Sequence, residues 1–139
     1  PEALFLKPRT PFLGYFIGSP GMNRLPCEKT STGLSIAGSP LAIPESIVLT
    51  ANKLNGVIEL GIRPEFVETS IEKKPGWNRM AVRTVDYAGA YQVLNLESGT
   101  VHIKARVEER FPSKEGDFVW ARFPADKTHL YANGERVDL

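Results

Sequence analysis

The second half of the sequence consists of short segments in which apolar and polar residues alternate, separated by turns that contain glycine. The clearest segment is Thr100–Glu108, where four apolar residues alternate with polar ones. A period of two is typical of a β-strand with one buried face and one exposed face. Comparable segments recur at Arg79–Tyr87, Tyr91–Leu96, Phe118–Phe123 and, after the turn Asn133-Gly134, Glu135–Val137. This spacing predicts a mainly β fold, either a small closed barrel or a sandwich of antiparallel strands.

The two-residue period also assigns the side chains of Arg79–Tyr87 to two faces. One predicted face carries Met80, Val82, Thr84 and Asp86, and the other carries Ala81, Arg83, Val85 and Tyr87.

The first half of the chain predicts strands, loops and one helix. Pro44 and Gly56 delimit the segment Glu45–Leu54 in the way that prolines and glycines delimit short helices, so we favour a helix there. The remaining predicted elements are strands at Asn23–Lys29, Gly33–Ile36 and Val57–Ile62, and a charged, turn-rich loop at 68–77.

A further short helix is predicted at residues 11–17. Thr10 suits the N-cap position, Pro11 suits the first helical position, and Gly18 suits the position just after the helix. The segment carries five large apolar or aromatic side chains: Phe12, Leu13, Tyr15, Phe16 and Ile17. One barrel wall cannot cover a helix that is apolar on nearly all sides, so we expect a second surface to cover it. A two-fold dimer is the default solution, and a monomer with the segment folded back over the barrel is the alternative.

These patterns divide the chain into an N-terminal helical segment at 1–20 and a β-barrel domain at 21–139. The first residue is Pro1, and we expect the chain to be a piece of a longer protein.

The charge balance and the cysteine content exclude several classes of protein. Seventeen basic and sixteen acidic side chains give a net charge of +1, which leaves no electrostatic footprint for nucleic acid or anionic lipid. No apolar run is long enough to span a bilayer. Cys27 is the only cysteine, so the chain has no intrachain disulfide, and we expect a reducing cytoplasm as its location.

The sequence offers no pattern that supports catalysis or metal binding. The glycines at 18–21 follow a predicted helix, whereas a phosphate-binding loop precedes one and ends in Gly-Lys-Ser/Thr. His102 and His129 are far apart in the sequence, and neither has a cysteine nearby. We therefore expect no catalytic residue, no metal site and no cofactor site in this chain.

Four residues attract attention for other reasons. Arg63 and Glu65 directly follow a predicted strand, and we expect them to form a structural brace at the barrel mouth. Trp77 follows Pro-Gly in a loop and is a candidate interface residue, whereas Trp120 lies within a strand and is predicted to be part of the core.

Three groups of residues resemble landmarks of a known family. Residues 16–23 have the sequence FIGSPGMN, residues 60–65 have LGIRPE, and the end of the chain has Gly116-Asp117, His129–Tyr131 and Asn133-Gly134. In this order they resemble the segment that follows the nucleotide-binding domain in ABC-importer ATPases of the maltose and glycerol-phosphate type. The landmarks extend from about Pro8 to Val137.

This resemblance implies a transport-associated OB (TOBE-type) domain, an OB-like small barrel of antiparallel strands with a short N-terminal helix. It implies a non-catalytic role on the cytoplasmic side of the membrane, peripheral to a transporter complex. ATP and magnesium would belong to an ATPase domain outside this sequence. The implied partners are a second copy of the ATPase subunit, the transporter's membrane subunits and a regulatory protein. The candidate interface residues are Phe12, Tyr15, Phe16, Met22 and Trp77.

Two other functions stay open beside this interpretation. Related barrels bind small ligands, so a module that senses an oxyanion or a sugar is the alternative. An OB-type nucleic-acid binder would need a basic groove with stacking aromatic residues, and the nearly neutral charge argues against it.

Overall fold

The structure is a computed structural model, and it describes residues 21–30, 33–36, 39 and 41–137. The helix predicted at 11–17 lies outside the described residues, and so do Phe12, Tyr15 and Phe16.

The described chain folds into ten β-strands and one α-helix. The strands are β1 (Asn23–Thr30), β2 (Gly33–Ile36), β3 (Ile58–Ile62), β4 (Glu68–Ser70), β5 (Asn78–Tyr87), β6 (Tyr91–Ser98), β7 (Val101–Glu108), β8 (Phe118–Arg122), β9 (His129–Ala132) and β10 (Glu135–Val137). The helix α1 spans Glu45–Ala51, and two 3₁₀ turns span Pro64–Phe66 and Ala125–Lys127. These elements confirm the predicted mainly β architecture and the helix favoured between Pro44 and Gly56.

The strands form two antiparallel sheets of five strands each. The first sheet has the order β10-β9-β3-β1-β2, and the second has the order β4-β8-β5-β6-β7. The second sheet curls so strongly that its last strand, β7, contacts β4 and the 3₁₀ turn that leads into β4. This curl brings the two edges of the second sheet close together, as in a small barrel.

One hydrophobic core fills the space enclosed by the two sheets and α1. Its largest fully buried side chains are Ile36, Ile47, Leu60, Ile62, Met80, Val82, Leu94, Leu96, Val119 and Leu130. The alternation predicted for β7 is confirmed, because its four apolar residues are buried, while His102 and Arg106 between them are exposed. Burial of this apolar surface is the main favourable term in folding.

A β-bulge overturns the faces predicted for the second half of β5. Val82 pairs with Leu96, but Thr84 pairs with Asn95, so Arg83 is an extra residue in the ladder. The insertion turns Val85 toward the core and leaves Thr84 exposed. The prediction that Thr84 and Asp86 share the face of Met80 and Val82 is therefore wrong.

Three further expectations need correction. The segment predicted as a loop at 68–77 begins with β4, which pairs with β8. His129, which the sequence placed at a turn before the apolar pair Leu130-Tyr131, begins β9, and β9 pairs with β3 and β10. Trp120 is half-buried on the outer face of β8, because the buried residues of this strand are Val119 and Ala121.

Candidate functional site

The described residues bring together no catalytic or metal-binding constellation. Among residues 21–30, 33–36, 39 and 41–137, no three His, Cys, Asp or Glu side chains are close enough to hold a metal ion. His102 lies on β7 of the second sheet, and His129 lies on β9 of the first. What the fold does assemble is a set of surfaces.

The family-like landmarks of the sequence meet on the outer face of the first sheet. Met22 directly precedes β1, Gly61 lies on β3 and Tyr131 lies on β9, and these three strands are neighbours in the sheet. We define the landmark face as Met22, Arg24, Glu59, Gly61 and Tyr131. Sequence analysis found Met22, Gly61 and Tyr131 separately, as parts of landmarks, but could not show that they touch.

Polar and aromatic contacts connect the side chains of the landmark face. The Tyr131 hydroxyl donates to Sδ of Met22 at 3.2 Å. The guanidinium carbon of Arg24 lies 3.8 Å from the centre of the Tyr131 ring, and Nη2 of Arg24 is 3.1 Å from Oε1 of Glu59. Met22, a predicted interface residue, is therefore half-buried and is already packed within the domain.

Gly61 is required by the close packing of this face. A Cβ atom placed on Gly61 would lie 2.7 Å from Sδ of Met22 and 2.7 Å from Cε2 of Tyr131. Real Cβ atoms do not approach other heavy atoms so closely, so any side chain here would push the methionine and the tyrosine away. The LGIRPE landmark thus has a glycine at this position because Met22 and Tyr131 leave no room for a side chain.

Asn23, the last residue of the FIGSPGMN landmark, connects the two sheets. Its side chain is 9% exposed. Nδ2 donates to the carbonyl oxygen of Lys104 at 2.9 Å, and the backbone N–H of Lys104 donates to Oδ1 at 2.8 Å. Because β7 is an edge strand of its sheet, the Asn23 amide takes the place that a neighbouring strand would occupy. Nothing in the sequence pattern alone pointed to Lys104 as the partner.

Arg63 and Glu65 do not form the predicted brace in this structure. Both side chains are exposed. Arg63 directly precedes the 3₁₀ turn after β3, and Glu65 lies within that turn. None of the ion pairs or side-chain hydrogen bonds in the described part of the chain involves either residue. The described contacts give the brace no support, and substitution of either residue would test it.

His129 lies within electrostatic reach of Arg136 and Arg63. Its pKa is lowered from the ordinary value, first by burial and then by the positive charges of Arg136 and Arg63. The imidazole is therefore in its neutral form at pH 7.

Trp77 occupies a half-buried position between two cations. Nζ of Lys74 is 4.8 Å from the Trp77 ring, and the guanidinium carbon of Arg122 is 5.5 Å from it. Arg122 also bonds to Glu68, with Nη2 and Oε1 separated by 2.5 Å. The predicted exposure of Trp77 is thus only partial, since Lys74 and Arg122 cover part of the ring.

An open groove of about 490 Å³ adjoins the Trp77 surface. Its polar lining comes from Asn78, Arg122 and Asp126, and its apolar lining includes Ile43 and Phe123. Oδ1 of Asn78 accepts a hydrogen bond from the backbone N–H of Ala42 at 2.8 Å, which holds one wall of the groove in place. The volume is within the range of small-molecule sites in proteins.

Comparison with known proteins identifies relatives along nearly the whole chain. The sn-glycerol-3-phosphate import ATP-binding protein UgpC of Cereibacter sphaeroides is 30% identical over 133 residues, which are 94% of this chain and 36% of that protein. UgpC of Psychromonas ingrahamii is 37% identical over 139 residues, 94% of this chain and 35% of that protein. The trehalose import ATP-binding protein SugC of Mycobacterium tuberculosis is 29% identical over 154 residues, 100% of this chain and 38% of that protein. The chain therefore spans little more than a third of the length of these curated relatives.

A solved structure defines the fold class. The cytoplasmic molybdate-binding protein ModG, crystallised with molybdate bound, superposes with a TM-score of 0.58 over 83% of this chain and 97% of that chain. The sequence identity is 14%, so the similarity shows the fold alone, which is of the OB type. No protein-family model matches the chain. No described helix combines the length and the apolar character that crossing a membrane would need.

Proposed function

Because nearly the whole chain is homologous to a segment of the ATP-binding subunits of glycerol-phosphate and trehalose importers, we propose that it is the C-terminal accessory domain of such a subunit. The proposal rests on the share of each protein that the match covers. The match takes in 94% of this chain but only 36% of the Cereibacter relative, as a domain within a larger subunit would.

The proposed role of the domain is protein contact without chemistry. The sequence contains no Gly-x-x-x-x-Gly-Lys-Ser/Thr motif, which is the element that holds nucleotide phosphates in P-loop ATPases. ATP and magnesium bind to the ATPase domain of the parent subunit, and this domain binds neither. It helps two copies of the subunit to stay paired and presents a surface to a regulatory protein.

The proposed location follows from the parent complex. The subunit lies on the cytoplasmic side of the membrane and reaches the transporter's membrane subunits through the rest of its chain. The transported solute is a sugar or a related polyol or glycerol phosphate, in keeping with the relatives named above.

Sedimentation velocity over a hundredfold concentration range tests the pairing role. We expect the wild-type chain to form a dimer as concentration rises, because the helix predicted at 11–17 would be apolar on nearly all sides. The variant Phe16→Glu should stay monomeric, and Leu49→Glu, on an exposed position of α1, should behave as the wild type. A single monomer-sized species throughout, unchanged by Phe16→Glu, would contradict dimerisation through this segment.

A second candidate function is the sensing of a small neutral ligand such as a sugar. The groove beside Trp77 favours it, because amide, guanidinium and carboxylate groups line it together with apolar side chains. Calorimetry with mono- and disaccharides tests this function. A heat of binding that Asp126→Ala abolishes would support it, and no heat at millimolar concentrations would contradict it.

A further inference from the structure

Aromatic and basic side chains lie together on the outer face of the second sheet, where β8 pairs with β5. Arg79 of β5 lies directly opposite Trp120 of β8, so their side chains share one face. Phe118 and Arg122 lie two residues from Trp120 along β8, and the residues between them are buried, so they share that face as well. We define the aromatic patch as Lys74, Trp77, Arg79, Phe118, Trp120 and Arg122.

Each cation of the aromatic patch lies over an aromatic ring. The guanidinium carbon of Arg79 is 3.7 Å from the centre of the Phe118 ring, and Lys74 and Arg122 both lie over Trp77. A guanidinium group held over a ring can still donate the N–H groups around its edge, and a carboxylate accepts two of these at once. Because Arg79 is exposed, its donors are accessible from outside the domain.

The charge of the aromatic patch is unbalanced. Glu68 bonds to Arg122, whereas Arg79 and Lys74 take part in no ion pair within the described part of the chain. The loop before Lys74 adds one acidic and one basic residue, which cancel each other. Asp138, outside the described part, follows β10 at an edge of the first sheet. Three cations of the patch thus face one bound carboxylate, and the surplus of positive charge favours an acidic partner.

Charge and geometry argue against three other occupants. A second copy that presented the same face across a two-fold axis would bring cations against cations. Residues 1–20 contain Lys7 and Arg9 but only one acidic residue, Glu2, so this part of the chain has the same sign of charge as the patch. Nucleic-acid bases need free ring faces for stacking, and Arg79 already covers one face of Phe118.

We propose that the aromatic patch docks an acidic segment of a partner protein, in which carboxylates flank apolar side chains. Tryptophan and arginine are among the residue types that most often dominate the binding energy of protein interfaces. Carboxylates of the partner pair with Arg79 and Lys74, and its apolar side chains pack against Phe118 and Trp120. The patch thus supplies the contact surface of the proposed function, on which this assignment rests.

Peptide binding to the chain tests the patch. The probe is a fluorescein-labelled peptide of four Glu-Glu-Leu repeats, followed by fluorescence anisotropy, and the same peptide with lysine in place of glutamate is the control. Trp77 and Trp120 are the two tryptophans of the chain, so its tryptophan fluorescence, measured with unlabelled peptide, reports on the patch alone. We expect the acidic peptide to bind saturably, to change the tryptophan emission and to bind more weakly as salt rises. The lysine peptide should not bind.

Two substitutions of the same type locate the contact. Arg79→Gln should weaken binding of the acidic peptide about tenfold, because it removes a charge-assisted pair. Arg106→Gln is the matched control, since Arg106 also stacks on a ring, 3.8 Å from the centre of Tyr91, but lies on β7 near the β5–β6 turn. It should leave the affinity as in the wild type. Both arginines are exposed, so neither change should affect folding, and urea unfolding verifies this.

Oligothymidylate and phosphatidylserine vesicles are tested beside the peptide. Absence of binding by the acidic peptide, equal effects of Arg79→Gln and Arg106→Gln, or tighter binding of the oligonucleotide or the vesicles would overturn the assignment to a protein partner. Each of these results would leave the proposed parentage and dimerisation untouched, because they rest on homology and on the segment at 11–17 and not on the patch.

Discussion

Asn23 and Lys104 are 81 positions apart in the sequence, yet the amide of Asn23 makes two hydrogen bonds to the backbone of Lys104. The contact joins the start of β1 in the first sheet to the middle of β7 in the second. Only a side chain with one donor and one acceptor in the geometry of a peptide group can satisfy both backbone groups at once. The asparagine of the FIGSPGMN landmark is therefore a structural connection between the two sheets.

Replacement of Asn23 by alanine should lower the free energy of unfolding by about 2–3 kcal/mol, because the N–H and C=O of Lys104 lose their partner. Urea unfolding monitored by tryptophan fluorescence measures the effect. Asn95→Ala is the control, since the amide of Asn95 bonds to Asp86 on an exposed surface, and its cost should stay below about 1 kcal/mol. Equal losses of unfolding free energy in the two variants would show that the Asn23 contact stabilises the fold no more than an exposed hydrogen bond does.

Gly61→Ala should destabilise the domain by about 1–3 kcal/mol, because the new methyl group collides with Met22 and Tyr131. The same substitution in a Tyr131→Leu background should cost less, since one of the two obstacles is gone. A double-mutant cycle gives the coupling. Additive effects would contradict the packing explanation.

The Cys27 thiol should make stability depend on pH in alkaline solution. Burial raises its pKa from 9.0 to about 11, the charge of Glu59 adds to the rise, and a backbone hydrogen bond at Leu60 opposes it. Since the folded value exceeds the unfolded one, this contribution is fully present below pH 9 and is lost as the pH rises toward 11. Urea unfolding at pH 8.5 and pH 10.5 should show a larger loss for the wild type than for Cys27→Ala. Identical losses would mean that the thiol ionises equally easily in both states.

Arg63→Ala should change the free energy of unfolding by less than about 0.5 kcal/mol, because the side chain is exposed and has no ion pair among the described residues. The sequence alone predicted a brace with Glu65, for which the loss would be about 1–3 kcal/mol. Thermal unfolding of Arg63→Ala and Glu65→Ala distinguishes the two expectations. A large and equal loss of unfolding free energy in both variants would support the brace.

The sequence predicted most of the strands because their buried faces follow a period of two. In β7 this period is unbroken, and every predicted face is correct. In β5 the same pattern failed after Val82, because the extra residue Arg83 shifts the ladder by one position. A bulge depends on the partner strand, so the sequence of β5 alone does not reveal it.

The candidate site was predictable only in pieces. The landmarks named Met22 and Gly61, but only the pairing of β1 with β3 and of β3 with β9 shows that both residues contact Tyr131. Trp120 was assigned to the core for its size, whereas the register of β8 places Val119 and Ala121 inside.

The central claim is tested most directly by the mass and the peptide sequences of the natural protein that contains this chain. An antibody raised against residues 21–139 is used to isolate the natural protein, which is then measured by intact-mass and peptide mass spectrometry. We expect a polypeptide more than twice the 15.4 kDa of this chain, because the chain matches only 35–39% of its relatives. Its peptides should include a Gly-x-x-x-x-Gly-Lys-Ser/Thr motif. A natural protein of about 15.4 kDa, or a larger one without that motif, would contradict the proposal that the chain is the accessory domain of an importer ATPase subunit.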